Sequence, residues 1–234
     1  MENKVKKENT SFKVLKSNFM AFCTMLLLAP LNSFYLILNT PERGAYNLTT
    51  SIDNAIPFVK EFIVPYIAWY GFIFFVMAYL CFKDRRTYYI TLTCYALGLA
   101  SSFITFYFFQ TTVPRPEVIG SDVFSKMVLR IYGADQPYNC FPSIHVLTSF
   151  LMVKAVSART FRNKANLLAV WFSAVMIIVS TLLVKQHVIL DAVSGIIYAD
   201  LIFRLVNAYG ENVWNRIKKQ TVLLGFKKKL EAKV

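Results

Sequence analysis

Charged and histidine side chains are scarce in this chain of 234 residues, of which 17% are charged, 56% are hydrophobic and only 2 are histidine. A composition so poor in charge argues against a water-soluble domain. The 4 cysteines form no CxxC pair, and there is no HExxH sequence, so neither a disulfide framework nor a common zinc motif is visible. The chain is therefore predicted to be an integral membrane protein.

Six apolar stretches are candidate membrane spans, since about 20 helical residues at about 1.5 Å rise cross the hydrocarbon core. The second, third and fifth stretches carry no charge, whereas the fourth is short and contains Lys154, and the sixth contains Asp191, Asp200 and Arg204. The stretches cover residues 19–38, 62–82, 87–109, 144–158, 165–184 and 188–206. We expect an all-α polytopic fold with six transmembrane helices in a single domain, residues 1–234.

The basic residues are distributed unevenly between the two sides of this arrangement. Of the 26 Lys and Arg, 20 fall on the side that holds both termini, and the positive-inside rule assigns that side to the cytoplasm. The other six are Arg43, Lys60, Arg115, Lys126, Arg130 and Lys185. Residues 1–17 and 210–234 are then basic cytoplasmic tails. The net charge of +13 reflects topology and contact with anionic lipid headgroups, so no nucleic-acid partner is expected.

Both histidines fall at the predicted outer boundary of the membrane. His145 begins the fourth span, His187 begins the sixth, and Arg115 lies at the same level just past the third. Three segments far apart in sequence thus bring one guanidinium and two imidazoles to a common depth. Ionisable groups at membrane depth are candidates for function, although a single interfacial histidine can also simply be tolerated there.

His187 and Asp191 are four residues apart, a spacing that places two side chains on one face of a helix. Asp191 is then expected to accept a hydrogen bond from one imidazole nitrogen and to leave the other nitrogen as a nucleophile or base. A purely structural His–Asp pair is the alternative interpretation.

The sequence Phe-Pro-Ser-Ile-His at 141–145 is typical of a helix start, with Ser143 as its predicted cap. The free N–H groups and the dipole at a helix start favour an anion. With His145 in the first turn and Arg115 at the same level, the segment is predicted to hold a phosphate, which arginine can bind through two hydrogen bonds.

These residues resemble the motifs of the type 2 phosphatidic acid phosphatase (PAP2) superfamily, which read Lys-x6-Arg-Pro, Pro-Ser-Gly-His and Ser-Arg-x5-His-x3-Asp. The matching residues here are Arg115, Pro116, Pro142, Ser143, His145, Ser180, His187 and Asp191. The resemblance implies that His187 attacks phosphorus and forms a phosphohistidine, that Asp191 orients it, and that His145 protonates the leaving oxygen. It further implies that Arg115, Ser143 and Ser180 hold phosphate oxygens, with no metal and no cofactor.

Three motif positions differ from the family pattern: Phe108 replaces the lysine, Ile144 the glycine and Thr181 the second arginine. Two motif cations are therefore missing. Lys185 and Arg130 are the outer-side cations that could replace them, and we assign Lys185 to the phosphate site. With these departures the sequence resembles the branch of inositol phosphorylceramide synthases and sphingomyelin synthase relatives, which transfer a phospho-headgroup to a lipid alcohol.

The sequence thus predicts a lipid phosphatase or phosphotransferase of the plasma membrane, with its active site on the extracytoplasmic side. Its expected partners are the bilayer and a lipid phosphate substrate. Two alternatives remain open. One is a metalloenzyme with His145, His187 and Asp191 as ligands. The other is a catalytically inactive member that binds or moves lipids.

Overall fold

The computed structural model describes residues 16–158 and 164–231, with residue 32 and residues 211–231 described by their backbone alone. Over these residues the protein is mostly helical. The helices are α1 Lys16–Leu38, α2 Ser51–Ala55, α3 Ile63–Lys83, α4 Arg85–Phe108, α5 Val123–Ala134, α6 Ile144–Ser157, α7 Lys164–Leu183 and α8 Ile189–Glu231. Most of the predicted amino-terminal tail, residues 1–15, lies outside the described residues, as do residues 159–163 and 232–234.

Within the described residues, four helices are long and apolar enough to cross a membrane: α1, α3 together with the 3-10 turn Lys60–Phe62 that precedes it, α4 and α7. They match the first, second, third and fifth predicted spans. Helix α6 covers the fourth, but its 14 residues reach only about 21 Å, less than the roughly 30 Å of a hydrocarbon core. Helix α8 covers the sixth and continues to Glu231, through most of the segment predicted as a tail. The count of six spans stays a prediction.

Helix α6 occupies the centre of the bundle. Nine of its side chains are buried, and it packs against α3, α4, α7 and α8. The indole N–H of Trp69 on α3 donates a hydrogen bond to Thr148 Oγ1 at 2.8 Å, which ties the two helices together. Because other helices enclose α6, protein rather than lipid surrounds most of its side chains.

Lys154 of the fourth predicted span forms an ion-pair cluster with Asp200 and Arg204 of the sixth. Lys154 Nζ on α6 lies 2.7 Å from one carboxylate oxygen of Asp200 on α8, and Arg204 Nε lies 2.6 Å from the other. Ionisable groups at membrane depth are expensive unless they are paired. This cluster therefore explains how two charged apolar stretches pack side by side.

Loops gather at the opposite end of the bundle, where α6 and α8 begin. Strand β1, Tyr46–Asn47, pairs in parallel with strand β2, Thr111–Thr112, and so joins the loop after α1 to the segment after α4. The backbone N–H of Phe141 donates to Thr111 Oγ1 at 2.9 Å and adds the segment before α6. Helices α2 and α5, which hydropathy did not predict, lie in the loop after α1 and in the segment between α4 and α6.

Helix α8 comes very close to the start of α6 at Gly195. A Cβ atom there would lie 2.8 Å from the carbonyl oxygen of Ser143 and 3.1 Å from Leu147 N and Val146 Cβ. The N–H of Ser143 also donates to the carbonyl of Asp191 at 3.0 Å. Because Gly195 has no side chain, the first turns of α8, which follow His187, pack directly against the start of α6, which contains His145.

Candidate active site

The connection between α7 and α8, residues 184–188, carries His187. The N–H groups of Gln186 and His187 both donate to the carbonyl of Thr181, at 3.0 and 3.1 Å. At the other end the N–H of Val188 donates to Asp191 Oδ2 at 2.9 Å. Hydrogen bonds to both flanking helices therefore fix the backbone on either side of His187.

His187 and Asp191 are in contact, but through a different geometry from the one predicted. Nδ1 of His187 lies 3.4 Å from Asp191 Oδ2, with the two side chains 8% and 1% exposed. Helix α8 begins at Ile189, so His187 precedes the helix and the predicted shared helical face is wrong. Instead, the Asp191 carboxylate folds back over the first turn. Within the described part of the chain, His187 Nδ1 has no hydrogen-bond partner, so the predicted hydrogen bond to Asp191 is not formed in this geometry.

His145 is the second residue of α6, and the predicted cap Ser143 directly precedes this helix. Ser143 is that cap, because its Oγ accepts a hydrogen bond from Val146 N at 3.4 Å. The imidazole of His145 stacks on Tyr66 with the ring centroids 4.5 Å apart, and its centroid lies 4.3 Å from that of Trp69.

The rings of His145 and His187 lie next to each other, with centroids 6.0 Å apart. Nε2 of His145 is buried and makes no hydrogen bond to any described residue. The structure thus brings both predicted histidines into one site. The aromatic packing holds one of them in a fixed orientation.

Arg115 reaches the site while binding several protein groups. Its Nη1 donates to Tyr132 O at 3.1 Å, and its Nη2 donates to Asp135 O at 2.8 Å and to Gln186 Oε1 at 2.6 Å. The guanidinium also lies 4.3 Å from the centre of the Tyr132 ring. Burial raises the pKa of the Tyr132 phenol to about 12 although Arg115 opposes the shift, so this phenol stays neutral. The bond to Gln186 links Arg115 to the connection that carries His187.

Lys185 and Ser180 make contacts that the sequence did not predict. The backbone φ of Lys185 is 53°, in the left-handed region, and its Nζ donates to the carbonyls of Asp53 and Ile56 at 2.9 and 2.6 Å. The ammonium therefore binds the carboxyl end of α2. Ser180 is fully buried, and its hydroxyl donates to Ile177 O within α7 at 2.6 Å.

No basic residue stands at the two positions where the motif cations are missing. Phe108 is 79% exposed and points away from the core. Thr181 donates its hydroxyl to Ile178 O at 2.7 Å. Arg130 is exposed on α5. Among the described residues, Arg115 and Lys185 are the cations that line a cavity beside His187.

Two cavities adjoin the histidines. The first, which we call the polar cavity, has a volume of about 320 Å³, and its lining includes Thr49, Asp53, Asn54, Arg115, Lys185 and His187. The second, which we call the aromatic cavity, has a volume of about 380 Å³, and its lining includes Tyr35, Tyr66, Trp69, Tyr95, Asp135, His145 and His187. His187 therefore lies on the wall of both cavities, whereas Arg115 and His145 each line one.

Asp53, which was not predicted from the sequence, binds the first residue of α8, directly after the connection that carries His187. Its Oδ1 accepts the N–H of Ile189 at 2.7 Å, and its Oδ2 accepts the N–H and hydroxyl of Thr50 at 2.8 and 2.6 Å. Burial raises the pKa of Asp53, but the hydrogen bonds from Thr50 and Ile189 outweigh it and leave the pKa lowered. The pattern Thr50-x-x-Asp53 is a capping box, which was the available signal in the sequence.

Cys140 forms a buried group with His187 and Asp191. One ligand-type atom from each residue lies within 4.8 Å of the other two. Burial raises the pKa of the Cys140 thiol, and the nearby Asp191 adds to the effect, so the thiol is neutral. The metal site considered from the sequence used His145, but the potential ligand set in the structure contains Cys140 in its place. An isolated cysteine in a polar loop gave no signal for this grouping.

Known proteins resemble this chain over a region that holds most of the site. The family model described as the PAP2 superfamily matches residues 87–214, more than half of the chain, including Arg115, both histidines and Asp191. The uncharacterized protein MJ0662 of Methanocaldococcus jannaschii is 26% identical over 186 residues, which cover 76% of this chain and 73% of that protein. No solved structure gives a significant match.

Proposed function

Because the chain belongs to the PAP2 superfamily, whose members are generally phosphoesterases or phosphotransferases, we propose that it is a membrane enzyme that cleaves a lipid phosphate ester through a phosphohistidine on His187. One observation carries the proposal: His187 lies on the wall of both the polar and the aromatic cavity. A lipid phosphate has a charged end and an apolar end joined at one oxygen. A nucleophile between a cationic and an aromatic cavity suits attack at that junction.

The polar cavity receives the phosphate. Arg115 and Lys185 line this cavity and supply charge-assisted N–H donors to the non-bridging oxygens, where negative charge must be stabilised during transfer. Ser143 and Ser180, whose hydroxyl groups bond within their own helices, serve the site by holding the ends of α6 and α7. This is a narrower role than direct contact with phosphate.

The aromatic cavity receives the lipid portion, and His145 stands where the two portions separate. His187 Nε2 attacks phosphorus, the bond from phosphorus to the lipid oxygen breaks, and that oxygen takes a proton from His145. Asp191, 3.4 Å from Nδ1, stabilises the positive charge on the phosphorylated imidazole. Water or a lipid alcohol then attacks phosphorus, returns its proton to His145 and frees His187.

The site is proposed to face outward in the plasma membrane, and the uneven distribution of Lys and Arg supports this orientation. We expect a cysteine introduced between residues 120 and 139 to react with an impermeant thiol reagent on intact cells. A cysteine introduced between residues 157 and 164 should react only after permeabilisation. The opposite labelling pattern would reverse the topology and place the site in the cytoplasm.

Turnover of a lipid panel tests the activity itself. Purified protein in detergent is given phosphatidate, a polyprenyl diphosphate, phosphatidylglycerophosphate and phosphodiester lipids, each with and without an added lipid alcohol. Released phosphate identifies a hydrolase, and a new phosphodiester identifies a transferase. His187→Ala is the matched negative control. Absence of turnover on every lipid would favour the inactive, lipid-binding alternative, and turnover by the His187 variant would exclude the phosphohistidine.

A transferase is the second candidate, and the two missing motif cations favour it. Phe108 and Thr181 leave a site with less positive charge than the family pattern provides. A phosphodiester carries about one negative charge, whereas a phosphate monoester carries nearly two at neutral pH. The lower positive charge of this site therefore fits a donor lipid with a phosphodiester headgroup, such as a headgroup transferase uses.

A further inference from the structure

We propose that Cys140, His187 and Asp191 form a binding site for a thiol-seeking divalent ion such as Zn²⁺, and that the bound ion inhibits the enzyme. The three side chains are 3%, 8% and 1% exposed. One sulfur, one imidazole nitrogen and one carboxylate oxygen lie within 4.8 Å of one another. Sulfur, nitrogen and oxygen ligands in one group are the set that Zn²⁺ prefers in proteins.

The distances are close to those that coordination requires. With bonds of about 2.0–2.3 Å in a tetrahedral arrangement, neighbouring ligand atoms lie about 3.5 Å apart. His187 Nδ1 and Asp191 Oδ2 already lie 3.4 Å apart. The largest separation in the group, 4.8 Å at most, has to shorten by about 1.3 Å, which is within reach of side-chain rotation at Cys140.

Two of the potential ligand atoms have no hydrogen-bond partner among the described residues, whereas Asp191 Oδ2 accepts the N–H of Val188 at 2.9 Å and keeps a second lone pair for an ion. His187 Nδ1 and Asp191 Oδ1 are buried, and neither has a hydrogen-bond partner within residues 16–158 and 164–231. The Cys140 thiol donates one hydrogen bond, to Pro137 O at 3.5 Å, and loses it when the ion replaces the thiol proton. Buried polar atoms without partners are unfavourable, so a cation that satisfied them would be stabilised. On binding, the ion displaces the thiol proton to solvent, and no electron transfer takes place.

A bound ion would disable the reaction by occupying the atoms that orient the nucleophile. Nδ1 of His187 would then face the ion instead of the Asp191 carboxylate, and the positive charge of the ion would oppose positive charge on the phosphorylated imidazole. His187 lines both cavities, so an ion in either cavity meets one member of the group. The inhibition rests on the proposed function, whereas binding of the ion does not.

Cobalt spectroscopy of the purified full chain tests binding without any substrate. We expect Co²⁺ to produce a thiolate-to-cobalt charge-transfer band that saturates at one ion per chain. Cys140→Ser and Cys140→Ala should lack the band. Cys23→Ser, which changes a half-buried cysteine outside the group, should keep it. No band in the parent, or an undiminished band in both Cys140 variants that remain folded by circular dichroism, would overturn the site.

Zinc titration of lipid turnover tests inhibition separately. Cys140 takes no part in the proposed chemistry, so its serine variant should be active and should need about tenfold or more Zn²⁺ for half-inhibition. Cys23→Ser should be as sensitive as the parent. Equal sensitivity of all three proteins, or stimulation by Zn²⁺, would overturn inhibition through this group. A protein that turns over no lipid but shows the cobalt band would refute the proposed function and leave the metal site intact.

Discussion

Replacing Gly195 by alanine should separate the two helix starts that position the histidines. The added Cβ would lie 2.8 Å from the carbonyl oxygen of Ser143, and ordinary contact begins at 3.4 Å, so α8 and α6 must move apart by about 0.6 Å. The neighbouring atoms at Ser143 and Leu147 belong to the backbone and cannot rotate away. His187 precedes α8 and His145 lies in the first turn of α6, so this shift changes their separation.

The magnitudes decide which effect of Gly195→Ala is larger. Overpacking a tight contact costs about 1–3 kcal/mol, whereas alanine gains about 1 kcal/mol over glycine in a helix. The free energy of unfolding should therefore fall by at most about 2 kcal/mol. Misplacing catalytic groups by about 1 Å can reduce the rate about 100-fold. We expect kcat/KM to fall about tenfold to 100-fold while the protein remains folded.

Steady-state kinetics and thermal unfolding in one detergent measure both effects. Gly71→Ala is the matched control, because Gly71 also lies in an apolar helix and its Cβ would meet only the Phe75 ring, at 3.8 Å. That variant should retain its activity and be slightly more stable. If Gly195→Ala has the activity and the melting temperature of the parent, the close approach of α8 to α6 does not position the histidines.

Four further variants probe the site. His187→Ala should abolish turnover, and His145→Ala should slow it by about 100-fold or more; an activated aryl phosphate, which needs no protonated leaving group, should partly rescue only the His145 variant. Lys185→Met should weaken binding and turnover by about 1.5–3 kcal/mol, whereas unchanged kinetics with a lower melting temperature would restrict Lys185 to holding α2. Because the pKa of Asp53 is lowered on folding, the stability it contributes is present above the unfolded value of about 3.9 and is lost as pH falls through the folded value. Asp53→Asn should therefore be less stable at pH 7 and lose less stability between pH 5 and pH 3, as measured by thermal unfolding.

The length of the apolar stretches predicted α3, α4 and α7, because a helix that crosses lipid must be apolar over its whole length. The second, third and fifth predicted spans correspond closely to α3, α4 and α7. The same reasoning is weak for α6, whose 14 residues pack among other helices and so need not match the hydrocarbon thickness. It is equally weak for α8, where Asp200 is acceptable because Lys154 of α6 lies beside it. Pairing between helices is not visible in a hydropathy profile.

The proximity of the two histidines could be predicted, because the membrane topology alone places the ends of several helices at a common depth. The pairing of His187 with Asp191 was predicted for the wrong reason. The two residues do not share a helical face, because His187 precedes α8 and Asp191 lies in its first turn. The roles of Asp53 and Cys140 could not be predicted in this way. Their contacts join loops that are far apart in sequence, and only the folded loops bring them to His187.

The charges around the polar cavity bear on the substrate more directly than the motif differences do. Arg115 has five N–H donors and donates three hydrogen bonds to protein oxygens. Lys185 has three N–H donors and donates two such bonds. Asp53 lines the same cavity, and its lowered pKa keeps it ionised at neutral pH. Two cations and one carboxylate leave a net charge of about +1, which balances the single charge of a phosphodiester better than the nearly double charge of a monoester. The lipid panel compares these two classes directly, and a marked preference for phosphatidate would refute the argument from net charge.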